Sequence, residues 1–110
     1  MTEIRLLTRH EEFAEVVTLQ QQIWGFKDIE LLPLRLFVVA EKVGGQVLGA
    51  FDDKRMVAFC LAIPGLKAGG KYYLHSHMLG VMPDYRNSGL GRQLKLKQRE
   101  EALARGIDLI

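Results

Sequence analysis

Polar and apolar residues alternate from Ile4 to Leu6, which predicts a strand of about five residues ending near Leu7. Thr8 followed by Glu11 reads as a capping box, and Phe13, Val16, Val17, Ile23 and Trp24 recur at helical spacing up to Gly25. A first helix is therefore expected from about Arg9 to Trp24. After a loop through Lys27, Asp28 and Glu30, Pro33 suits the first turn of a second helix. Its expected apolar face carries Leu36, Val39, Ala40 and Val43, and Gly44-Gly45 stops it.

The period then shortens. Residues 46–51 and 55–63 are apolar runs rich in Val, Phe, Ile and Leu, split by Asp52-Asp53-Lys54, the pattern of an antiparallel hairpin. Pro64-Gly65 closes the second run, Gly69-Gly70 opens the next, and Tyr72 to Val81 is the longest predicted strand, ended by Pro83. A third helix is expected from near Gly89 to about Arg105, capped by Gly106. Its broad apolar face holds Leu90, Leu94, Leu96, Ala102 and Leu103. Ile107 to Ile110 opens a further strand, expected to lie parallel to the long one. The order β-α-α-β-β-β-α-β is α/β or α+β, with a mixed, mostly antiparallel sheet and a helical crossover into the last strand. No internal repeat or linker divides residues 1–110, so one domain is expected.

Composition narrows the function classes. The chain has 110 residues, 48% of them hydrophobic and 25% charged, with a net charge of +2. That balance excludes disorder and gives little counterion-release drive for nucleic acid. The lone Cys60 excludes an intrachain disulfide and a CxxC site, and its apolar run marks it as a core residue. No apolar run reaches the ~18 residues of a membrane span, and the start of the chain lacks the apolar region of a signal peptide. A cytoplasmic setting is expected, with neither membrane nor nucleic-acid partners.

The chemistry-bearing motif is Arg86-Asn87-Ser88-Gly89-Leu90-Gly91, placed between the end of a strand and the start of a helix. Unpaired backbone N–H groups and the positive end of the helix dipole converge there on an anion. Glycines at 89 and 91 let the backbone approach a diphosphate, and Arg86 and Arg92 add fixed positive charge. The spacing is neither GxxxxGK[ST] nor GxGxxG, which removes support for ATP hydrolysis and hydride transfer. A helix that merely starts with two glycines is the bland alternative.

Leu79-Gly80-Val81-Met82-Pro83-Asp84-Tyr85-Arg86-Asn87-Ser88-Gly89-Leu90-Gly91 resembles the signature of the GCN5-related N-acetyltransferases: Arg or Gln, two residues, Gly, one residue, then Gly or Ala, after a strand ending in a Val-x-Pro-like turn. The order of elements is similar to the first two thirds of that fold. The resemblance implies that amides from Asn87 through Ser88, Gly89, Leu90 and Gly91 to Arg92 hold the pyrophosphate of acetyl-CoA. It also implies that main-chain groups near Leu79 and Val81 meet the pantetheine arm as an added strand would. The resembled fold continues with another helix and two strands, where its usual general acid, a tyrosine, lies. None of Tyr72, Tyr73 or Tyr85 matches that place, so the domain is expected to be C-terminally incomplete, and an exposed edge on the short last strand favours a homodimer.

His75 and His77 are two apart on the long strand and are expected to share a face, with Leu79 and Val81 continuing it toward the loop. An alkylammonium has no lone pair with which to attack a thioester, and imidazole, with an ordinary pKa of about 6.5, suits removal of its proton. Hydrogen-bonded packing is the alternative reading; two nitrogens without a third ligand nearby make a poor metal site, and no metal is expected. The stretch from His75 to Val81 also resembles the arylalkylamine N-acetyltransferases of the same superfamily, which carry a His-x-His pair at matching distance from the Val, and in the histone-acetylating branch a catalytic Glu falls at the place of His75. The expected function is acetyl transfer from acetyl-CoA to a primary amine of a small molecule, with His75 or His77 as base. The alternative is a CoA-binding or interaction module without turnover, or an inactive fragment. Trp24 is expected in the core. Phe26, Ile29, Leu31 and Leu32 are left open between core and acceptor pocket.

Overall fold

The computed structural model describes residues 2–25 and 31–110. Its elements run β1 (Thr2–Leu6), α1 (His10–Trp24), α2 (Leu34–Lys42), β2 (Gln46–Asp52), β3 (Arg55–Leu66), β4 (Tyr72–Val81), a single 3-10 turn (Pro83–Tyr85) and α3 (Leu90–Ala104). The four strands form one antiparallel sheet in the order β1-β2-β3-β4, which leaves an outer edge of β4.

Side chains of β3 alternate between two layers. Phe59, Leu61 and Ile63 face α1 and α2, where Phe13, Val16, Leu19 and Phe37 complete one cluster. Ala58 and Cys60 face α3 through Leu90 and Leu94, and Ala62 joins Leu74 and Ala102 on that same side. Cys60 is fully buried, and desolvation pushes its thiol up to about 12, so it has no nucleophilic role.

Several expectations need correction. The cap of α1 is made by Glu12, not by Thr8 and Glu11: its Oε1 accepts from the N–H groups of Thr8 at 3.2 Å and Arg9 at 3.1 Å. Glu12 also pairs with Arg5. Burial pushes the Glu12 carboxyl up, but the hydrogen bonds from Arg5, Arg9 and Thr8 outweigh it and hold the group below its ordinary range. Helix α2 buries Phe37 and Ala40, whereas Val39 and Val43 are 45% and 57% exposed. The face read from the sequence was rotated because Phe37, the largest side chain there, takes the inward position against Phe59. Strand β3 runs through Pro64-Gly65 to Leu66, since Pro64 lies opposite Leu74 and Gly65 opposite Tyr73, whose ring covers the place of a Cβ at Gly65. Residues 107–110 do not form a strand; one main-chain bond, from the Leu74 N–H to the Leu109 carbonyl at 3.0 Å, ties them to the outer side of β4.

Candidate active site

The path from β4 into α3 is built by backbone conformation. Asn87 and Gly89 both have positive φ, 64° and 83°, with Ser88 between them at negative φ. Such sign alternation curls successive N–H groups around a common concavity, the geometry of an anion nest. Gly89 is the residue before α3, and the first paired helical amide is that of Gln93, which donates to the Gly89 carbonyl at 3.0 Å. The N–H groups of Leu90, Gly91 and Arg92 therefore open on the loop side at the positive end of the helix dipole. Leu90 is buried beneath the loop, while Arg86, Asn87, Ser88, Gly89 and Arg92 are exposed around it.

The two glycines serve different needs. A Cβ at Gly89 would meet nothing within 4 Å, so only the positive φ asks for glycine there. A Cβ at Gly91 would sit 3.7 Å from Leu79 Cδ2 and 3.9 Å from Val81 Cγ2, which is ordinary contact. Gly91→Ala is therefore expected to leave coenzyme A affinity within about twofold of wild type, whereas Gly89→Val, at a cost of ~1–2 kcal/mol for a left-handed residue, weakens it about five- to thirtyfold in calorimetry. Equal affinities for the two variants would remove the loop conformation from the account.

Ser88 Oγ donates to the Tyr85 carbonyl at 2.5 Å. Arg86 Nε donates to the Val81 carbonyl at 3.2 Å, which pins the guanidinium where β4 ends and leaves the Val81 N–H as that residue's free outward group. The Met82 N–H bonds inward to Val57 at 2.9 Å, so by alternation the main-chain groups of Val81 and Leu79 point to the outer edge. No strand of the described residues pairs with that edge.

The histidines occupy a different face from the one expected. In the β3–β4 ladder Leu61 pairs with Met78 and Ala62 with Ser76, which leaves His77 as an extra residue on β4. This bulge reverses the alternation. His75 and His77 lie together, with ring centroids 5.7 Å apart, and His75 is opposite Ile63 on the side of α1 and α2. Beyond the bulge, Leu79 and Val81 pack toward α3 with Leu90 and Leu94. Both imidazoles are exposed, which argues against buried packing residues. On the α3 side Ser76 accepts from Lys95 Nζ at 2.5 Å, which fastens the residue between the histidines to the helix.

Trp24, expected in the core, is 37% exposed. It stands edge-on to Phe59 at 5.9 Å and covers Gly80, where a Cβ would come within 2.7 Å of its ring. Gly80 is glycine because an indole lies on it. Trp24 therefore borders the same face of β4 that carries the histidines. Leu31 and Leu32 are partly buried, and the N–H and carbonyl of Leu32 bond to the Gln20 carboxamide at 3.0 and 2.9 Å. Phe26 and Ile29 lie outside the described residues. Among the described residues no group of three His, Cys, Asp or Glu could hold a metal, and no helix is long and apolar enough to cross a membrane.

Residues 8–110 match the acetyltransferase (GNAT) family. The chain belongs to that family. The GNAT assignment agrees with the architecture. An acetyltransferase of Sodalis glossinidius (strain morsitans), SG1711, is 31% identical over 121 residues, spanning 98% of this chain and 72% of the relative. Among solved structures, an aminoglycoside acetyltransferase, meta-AAC0020, from an uncultured soil metagenomic sample superposes with a TM-score of 0.85 at 14% identity, over 98% of this chain and 74% of the other. The ribosomal-protein-S18-alanine N-acetyltransferase of Escherichia coli gives 0.70 at 22% identity, over 97% and 63%. At these identities the structures establish a shared GNAT fold.

Proposed function

We propose that this GNAT chain binds acetyl-CoA with its diphosphate on the loop from Arg86 to Arg92 and transfers the acetyl group to a primary amine of a small molecule. The observation that carries the reading is the left-handed pair Asn87 and Gly89, directly before the unpaired amides of α3 and beside the open edge of β4. Asn and Gly both accept left-handed backbone at little cost, and here the two positions aim successive amides into one concavity at the start of α3. The one cysteine is buried, which suits a cytoplasmic setting.

The acetyl thioester supplies an activated acyl carbon, and the chain's own groups do the rest. Amides from Asn87 to Arg92 fix the diphosphate, and the outward main-chain groups of Leu79 with the N–H of Val81 guide the pantetheine arm along the edge. A main-chain N–H near Leu79 polarises the acyl carbonyl. His75 or His77, on the α1 and α2 face, removes one proton from the ammonium, directly or through water, so that the freed nitrogen bonds to the acyl carbon; the carbon–sulfur bond then breaks, CoA leaves as the thiolate, and the second proton lost by the nitrogen passes to that thiolate. Solved neighbours are named for aminoglycosides and for a ribosomal-protein alanine, and the small-molecule class is the one offered for this chain.

Release of free thiol from acetyl-CoA in the presence of a panel of amines tests the reading. Acceptor-dependent release supports transfer. Binding of CoA with no release under any acceptor would leave a non-catalytic CoA-binding module.

A further inference from the structure

Tyr85 is the last residue of the 3-10 turn that enters the loop, and three bonds meet on it. Its phenol donates to Asp52 Oδ2 at 2.5 Å, across 33 residues of chain, at the end of β2. Its carbonyl accepts from Ser88 Oγ at 2.5 Å, between the two left-handed residues of the loop. Its N–H donates to the Met82 carbonyl at 2.9 Å. The ring packs on the cluster of Val57, Ala58, Leu90 and Leu94, beneath the start of α3. One side chain therefore refers the loop to the sheet, through the only described link between the loop's entry turn and the β2–β3 hairpin that is made by a side-chain hydrogen bond.

We propose that Tyr85 and Asp52 form a latch that positions the phosphate loop, so that they set affinity for coenzyme A rather than the rate of acetyl transfer. The proposal rests on the reading of the loop as the diphosphate site. The loop's amides are held by few contacts of their own, because the residues from Arg86 to Gly89 are exposed. Without the latch the turn keeps its ring packing but loses the bond that fixes its rotation about β4. The Ser88 contact, which hangs from the same residue, then shifts with it, and the amides must be reordered on binding. The Tyr85 bond is also the largest influence holding the Asp52 carboxyl below its ordinary range, and Asp52 in turn pushes the phenol up. The pair thus stays an O–H donor on a carboxylate through neutral pH.

The test is calorimetric titration of coenzyme A into wild type, Tyr85→Phe, Asp52→Ala, Asp52→Asn and the Tyr85→Phe/Asp52→Ala double variant, with Gly89→Val as the control for the site. Tyr85→Phe and Asp52→Ala are each expected to weaken binding about three- to tenfold, with the double variant no worse than the weaker single. Asp52→Asn, which keeps an acceptor, recovers most of the affinity. The kcat at saturating acetyl-CoA stays within about twofold while KM rises, a split that general loss of folding would not give. If Gly89→Val weakens binding and Tyr85→Phe does not, or if the two single losses multiply in the double variant, the latch is wrong and the site stands. If wild type fails to bind, or Gly89→Val binds as wild type does, the loop reading fails and the latch with it.

Discussion

With His75 and His77 both changed to alanine, acetyl transfer to a primary amine at neutral pH is expected to fall about 10²- to 10⁴-fold, the span of a lost general base. An alkylammonium with an ordinary pKa of about 10.4 holds its proton at that pH, so the rate depends on a group that removes it. The two imidazoles stand together on the open α1 and α2 face of β4, and both are exposed. Their removal should change folding stability by no more than about 0.5 kcal/mol, so the loss of rate is separable from loss of protein. Coenzyme A affinity should hold, because the loop proposed to take the diphosphate lies beyond the bulge. Comparing His75→Ala with His77→Ala in kcat at several pH values then identifies the base, with His75 expected to be the more costly. A double variant with the wild-type rate and pH profile would remove both imidazoles from the mechanism.

Phe59→Ala is expected to destabilise the fold by about 3–5 kcal/mol, a large part of the ~5–15 kcal/mol that holds a domain of this kind together. Phe59 is fully buried in β3, between Trp24 at 5.9 Å and Phe37 at 6.3 Å, both edge-on. Its loss opens a cavity where α1, α2 and the sheet meet. Trp24, the only tryptophan in the chain, would also lose the ring that holds it over Gly80. The urea midpoint gives the stability, and tryptophan fluorescence reports the second effect as a red shift before global unfolding. A loss below about 1.5 kcal/mol would mean that the layers collapse around the gap and that this ring does not set their spacing.

The place of the loop and the order of elements as far as α3 were legible because each rests on local chemistry. Glycine at position 89 answers a backbone angle of +83°, and a strand running into a helix leaves amides unpaired whatever the rest of the molecule does. The face of the histidines was only half legible. Spacing of two puts His75 and His77 together, but the extra residue at His77 appears only when β4 is paired with β3, and no residue type announces it. The bulge sends the histidines to one side of the strand and Leu79 and Val81 to the other. The same limit explains α2, where Val39 and Val43 fit an apolar stripe but Phe37 wins the inward position through contacts made by β3. Trp24 misled for a related reason: an aromatic at the end of a helix reads as core until the bare backbone of Gly80 is found beneath it. The link from Tyr85 to Asp52 spans 33 residues and has no local signature.

Whether the bend between β4 and α3 receives a diphosphate is read from amide-resolved NMR during titration with coenzyme A. The N–H resonances of Ser88, Gly89, Leu90 and Gly91 are expected to move first and furthest, to saturate together, and to stay still when the diphosphate-free pantetheine is used at the same concentration. Unmoved resonances at these four positions, with coenzyme A at millimolar levels, would contradict diphosphate binding at the bend.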